Sequence, residues 1–285
     1  MGSGQFWNPR ISPDGRYLAY VRGRSGQYDL WVYDIQRETS PTRLTSQRDV
    51  DAPVWSPDSR RIAFSSTGGD SVLDIFILAA DGTGDISPLT ASSHDQYPAS
   101  WSPEGMLAFL DYPVDSGADL WMLSTAGEGS EDPELFLDSP ANLWHPTFSP
   151  DGRWLAYASN EADRWEVYVQ PYPGPGRAVS ISIGGGSRPA WSRIGRELFY
   201  RETTSRMMVV DYEVAADGSF DAGKPRLLFE GAYRATYPLR NYDVSSDGRF
   251  VMGSYEDQPE PQPVTQINIV LNWFEELKRV VSTNR

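Results

Sequence analysis

The sequence predicts an all-β fold, a six-bladed β-propeller of four-stranded antiparallel blades with a short C-terminal helix. Three observations predict it. First, a turn motif recurs six times, as in Ile11-Ser12-Pro13-Asp14-Gly15 and Phe148-Ser149-Pro150-Asp151-Gly152. Second, its anchor serines, Ser12, Ser56, Ser102, Ser149, Ser192 and Ser245, are separated by 44, 46, 47, 43 and 53 residues. A nearly fixed period of this size is the signature of a repeat architecture. Third, every period carries strand-forming runs rich in aromatic and β-branched residues. Four-stranded units set in a ring close on themselves and leave no long exposed edge.

Each element follows from local chemistry. In the turn, Pro presets φ at the first central position, Asp tolerates the second, and Gly takes the left-handed position. That connects the first strand of a blade, predicted from Pro9 to Ser12 in copy one, to a second strand at Tyr17 to Arg22. Third strands read at Asp29–Asp34, Asp74–Leu78, Asp119–Leu123, Trp165–Val169, Met207–Tyr212 and Ile267–Leu271. Fourth strands read at Thr42–Thr45, Ser87–Thr90, Glu134–Leu137, Ala178–Ser182 and Arg226–Phe229. The third copy, Tyr97-Pro98-Ala99-Ser100-Trp101-Ser102, holds one extra residue between its Pro and its Trp. Just before the anchor serines stand Ile11, Trp55, Trp101, Phe148, Trp191 and Val244, all apolar, and these predict inter-blade core. Ala19, Ala63, Ala108 and Ala156 sit between large residues on second strands, where blades converge. The ends depart from the pattern. Trp273 to Val280 has helical spacing in place of a last fourth strand, and only Gly4 to Trp7 precedes the first repeat as a strand candidate. The ring is thus either closed by a very short N-terminal strand or left with a three-stranded last blade. Because repeats of one ring share one core, residues 1–285 form a single domain.

Composition bounds the function. Aromatic residues make up 13% and charged residues 22%, a globular and not a disordered balance. The net charge of −14 argues against nucleic acid and against an anionic membrane surface, since phosphate binding needs a basic face. No run is long enough for a membrane-spanning helix. No secretory signal is legible after Met1. Cysteine is absent, which excludes disulfides, thiolate metal sites and cysteine nucleophiles.

The repeats resemble those of the TolB-like propeller family, whose pattern is Pro-x-(Trp/Phe)-Ser-Pro-Asp-Gly followed by Ile/Leu-Ala-Phe/Tyr. The resemblance runs from Pro9 to about Val280, and the Trp-Asp signature of another propeller class is missing. Glu166 to Gly176, Gly184-Gly185-Gly186, Arg196 to Tyr200 and Ile267 to Lys278 further resemble propellers fused C-terminally to bacterial serine/threonine protein kinases. That resemblance implies a sensor or interaction module, extracytoplasmic or periplasmic, trimmed from a longer chain. No kinase element is present, and without such a fusion a cytoplasmic location would follow.

Catalytic motifs are scarce. There is no Gly-x-Ser-x-Gly elbow, no His-Glu-x-x-His, and Gly184-Gly185-Gly186 lacks the Lys of a phosphate loop. Function in a ring propeller is expected where the innermost strands enter the central channel. The residues there are Trp7, Asn8, Asp51, Ala52, Gln96, Tyr97, Trp144, His145, Ser187 and Arg188, with Asn241, Tyr242 and Asp243 in the sixth copy. They predict a polar and aromatic collar. Trp7, Asn8, Asp51, Gln96, Trp144, His145, Arg188, Asn241 and Asp243 are its candidate ligand-binding residues. His94 reads as a solvated loop residue. The leading expectation is a monomeric, non-catalytic propeller that binds a protein, peptide or small ligand. The alternative is a divalent-metal hydrolase, with a cation such as calcium held by Asp51, His145 and Asp243, by analogy with lactonase and phosphotriesterase propellers.

Overall fold

The computed structural model describes residues 5–24, 27–46, 48–68, 71–125, 132–233, 239–253 and 267–269. Their strands form six antiparallel sheets in sequence order. Blade one holds Gln5–Ile11, Tyr17–Arg24, Gln27–Asp34 and Thr42–Arg43. Blades two to four repeat that order from inner strands Asp51–Trp55, Asp95–Trp101 and Leu143–Phe148. Blade five starts at Ser187–Trp191 and gains an extra hairpin strand, Phe220–Ala222, beside its outer strand Arg226–Glu230. The sixth sheet differs from the expected four strands. It has three described strands, Tyr242–Val244, Phe250–Gly253 and Ile267–Ile269. No helix occurs among the described residues, and the helical reading of 273–280 lies outside them.

The anchor serine explains the turn. Its buried hydroxyl donates to the turn Asp, as from Ser56 to Asp58 (2.6 Å), and accepts from the N–H that opens the second strand, as from Arg61 (2.9 Å). Ser12, Ser149 and Ser245 repeat both bonds. One side chain thus satisfies backbone that the turn would otherwise leave unpaired. A second device closes blades one, two and four at the other end. Thr45, Thr90 and Ser182 accept the N–H of Leu30, Ile75 and Val167 at 2.8 to 3.0 Å, which ties the segment after an outer strand to the third strand. Outer strands are only two residues long in blades one, two and four, so little open edge is offered.

Packing between blades follows one rule. Trp55, Trp101, Phe148, Trp191, Val244 and Ile11 each lie in the apolar cluster shared with the preceding sheet, as expected of inter-blade core. Ala19, Ala63, Ala108 and Ala156, all fully buried, lie opposite the next blade's aromatic and make room for it. Two indoles are also stapled: Trp55 donates to the Arg10 carbonyl and Trp191 to that of Thr147, both at 2.9 Å. Val251 of the sixth sheet packs with Phe6, Ile11, Leu18 and Tyr20 of blade one, so the last described sheet meets the first.

The inner strands begin earlier than the sequence suggests. That of blade one runs from Gln5, not Pro9. The ladder passes Pro9 by a shift of register between Trp7 and Arg10, because Pro has no N–H to offer. The same shift falls at Pro53, Pro146 and Pro189. At each of these bulges the residue before Pro is left-handed: Asn8 (φ 49°), Ala52 (48°), His145 (54°) and Arg188 (57°). In the third copy the extra residue takes up the irregularity instead. Ser100 pairs with Ala108 and Pro98 with Phe109, which leaves Ala99 bulged out of the ladder.

Candidate functional site

All six inner strands border one axial cavity of about 340 Å³. Its wall includes the residue two positions before the anchor serine in each copy, namely Arg10, Val54, Ser100, Thr147, Ala190 and Asp243. Trp55, Trp101, Phe148 and Trp191 line it as well, with turn prolines such as Pro13, Pro57, Pro103 and Pro150. A smaller cavity at the collar end is bordered by Ala52, Tyr97, Tyr112, Trp144 and His145. Arg10, Ala99 and Arg240 border both cavities and form the neck between them.

The structure brings together part of the predicted collar. Asn8 donates from its backbone to the Asn241 side chain (3.1 Å) and from its amide to Asp51 (2.5 Å). Burial pushes the Asp51 carboxyl up to about 6, against the hydrogen bonds from Ala52 and Asn8. His145 is buried at the small cavity, edge-on to Trp144, which stacks on Trp165 at 3.7 Å. Arg188 donates to the Leu239 carbonyl (3.3 Å), and burial lowers its pKa. Gln96 instead turns to its own blade and donates to Asp111 (2.8 Å). Trp7 packs edge-to-face on Tyr28 against the cluster between blades one and two. His94, expected to be solvated, is half-buried with Nδ1 2.9 Å from Asp111.

Asp243 lies apart from the other two proposed metal ligands, on the wall of the larger cavity. Its carboxylate accepts from the Ile11 N–H (2.8 Å) and from Arg240 (3.2 Å), and sits 3.5 Å from Arg193. Among the described residues no three His, Asp or Glu side chains form a cluster that could hold a metal ion. The arginines were missed by sequence reasoning. Arg10 donates to the carbonyls of Pro9, Arg240 and Tyr242, and Arg240 to that of Pro189. Burial first, and the Arg240 charge second, lower the Arg10 pKa to about 9. Arg193 stands where the first four turns have Pro, and it reaches the carbonyls of Ser12 and Ile11 in blade one. The sequence carries a signal for Arg193 alone, the Pro that the fifth turn lacks.

The geometry defines a β-propeller whose axis carries the candidate site. No family model matches the chain. It is 40% identical over 78 residues to the Tol-Pal system protein TolB of Anaeromyxobacter dehalogenans, covering 27% of this chain and 17% of that protein. It is 23% identical over 192 residues to the uncharacterized peptidase YuxL of Bacillus subtilis, covering 54% of this chain and 29% of that one. The chain therefore spans less than a third of these relatives. TolB from Acinetobacter baumannii superposes with a TM-score of 0.59 at 17% identity, covering 90% of this chain and 58% of that one, a likeness of fold.

Proposed function

We propose that this chain is a non-catalytic binding propeller, a six-membered ring that takes a protein, peptide or small ligand at its axial channel. The observation that carries this reading is the single cavity bordered by all six inner strands, with its collar of polar side chains. Strained left-handed residues recur at four equivalent positions of that collar, and such strain collects at functional sites. The three described strands of the sixth sheet, and the packing of its Val251 on blade one, support the six-membered count. Likeness to a Tol-Pal system protein supports an extracytoplasmic setting, in keeping with the sensor role that the kinase-linked resemblance implies. The test uses a cell-envelope extract passed over the immobilised chain and over His145→Ala and Asp51→Ala variants. A ligand held by the wild type and lost by both variants, each of which still melts cooperatively, is the expected result. Retention by both variants would move the site away from the collar. Turnover of lactones, aryl esters or phosphotriesters that a chelator abolishes would replace binding with the metal-hydrolase reading.

A further inference from the structure

The axis of this acidic chain is basic. Three arginines, Arg10, Arg193 and Arg240, border the larger cavity against one carboxylate, Asp243, in a chain of net charge −14. Arg10 and Arg240 are fixed at the neck by the backbone carbonyls they donate to. Each also has a buried Nε with no hydrogen-bond acceptor. A buried charged donor left unpaired is costly, and both arginines border the same neck. Around them the wall is apolar, built from Trp55, Trp101, Phe148, Trp191 and prolines.

We propose that the neck binds a carboxylate carried on an apolar or aromatic group, the carboxylate between Arg10 and Arg240 and the apolar body against the tryptophans. A carboxylate offers two acceptor oxygens, matched to the two open guanidinium donors. Asp243 already pairs with Arg240 and Arg193, and its charge repels a dianion such as phosphate more than a monoanion. The volume of about 340 Å³ admits one large side chain or a small acid. Two sources share this chemistry, the C-terminal residue of a peptide and a free aromatic acid. The proposal rests on the channel being the binding site, and it names what the channel selects.

The experiment titrates the chain with phenylacetate, indole-3-acetate and acetyl-Gly-Phe, each against its neutral amide, by calorimetry and tryptophan fluorescence. The acids are expected to bind at least about tenfold tighter than the amides, the value of one charge-assisted hydrogen bond. Arg10→Met and Arg240→Met should each remove that preference. Should either fail to fold, Ala99→Leu serves in its place: it fills the neck from the bulge, removes no arginine, and should block every probe. Preference for acetyl-Gly-Phe alone assigns a peptide C-terminus, and equal binding of the small acids assigns a free acid. Equal affinity for acids and amides, blocked by Ala99→Leu, overturns the carboxylate while the channel reading stands. Acid binding that Ala99→Leu leaves intact overturns both. No binding of any probe overturns the carboxylate proposal.

Discussion

Asp51 shows how the collar trades stability for chemistry. Its carboxyl accepts from Asn8 and Ala52, yet burial still raises it from 3.8 to about 6. Between those values the folded protein holds a proton that the unfolded chain has released. Folding then takes up a proton, so stability falls as pH rises through this window and stays lower above it. Asp51→Asn keeps an acceptor oxygen and removes the charge. Thermal melts at pH 4, 5, 6 and 7.5 should show wild type and variant alike at the acid end. Above pH 6 the variant should lead by on the order of 1–3 kcal/mol, the worth of a shift of this size with part discounted for the open mouth. A constant difference across the range would show that Asp51 titrates normally. At this scale the sequence was half legible. Residues before each Pro could be picked as a collar because Pro marks the strand entry, and Asn8, Asp51, His145 and Asn241 do meet or line the mouth. The inward residue after each Pro could not be picked, because the bulge that sets its direction leaves no mark in the side-chain alternation.

Turns and strands were more legible than the site, since each copy repeats the same local chemistry. The turn serine is the clearest case. Ser149 is buried, donates to Asp151 and accepts from Trp154 N–H at 3.0 Å. Ser149→Ala strands that N–H and frees the Asp, and should cost about 1–3 kcal/mol in urea unfolding without changing the m-value. A loss within about 0.5 kcal/mol would mean that solvent replaces the hydroxyl. The fifth turn reads as a decayed copy in sequence, but its departure has a structural cause. Arg193 gives up the turn Pro and in exchange holds the carbonyls of Ile11 and Ser12 beside Asp243. Arg193→Pro restores the Pro of the first four turns, and ordinarily such a change stabilises by restricting the unfolded chain. Here it should destabilise, by about 1 kcal/mol or more, because two charge-assisted bonds between blades are lost. Stabilisation by Arg193→Pro would show that the arginine contributes nothing to closure.

Closure is the property of the whole molecule that no single repeat contains. Between blades three and four, the Ser100 hydroxyl accepts the Phe148 N–H at 3.0 Å. Between the sixth sheet and blade one, the Asp243 carboxylate accepts the Ile11 N–H at 2.8 Å from the same two repeat positions. The last joint is therefore built like an internal one, with an acid in place of a hydroxyl and arginines gathered to neutralise it. Its weak point is the sixth sheet. There Phe250–Gly253 is paired on one side with Tyr242–Val244 and on the other with Ile267–Ile269, through Val251↔Ile269, Met252↔Asn268 and Gly253↔Ile267. Val251 and Met252 belong to the clusters on either side of that sheet, so the strand that Ile267–Ile269 covers holds both neighbours together. Ending the chain after Gln266 uncovers that strand and leaves its edge open. The truncated chain should lose about 3 kcal/mol, which for this length lowers Tm by roughly 5–10 °C. Amide exchange should place the damage. Protection should fall first over 242–253 and 5–11, on the two sides of the joint, while the buried strands Leu143–Phe148 and Trp154–Ser159 across the ring keep theirs. A uniform loss of protection would mean that the ring opens as one unit. An unchanged Tm with unchanged exchange would mean that two strands suffice to close it.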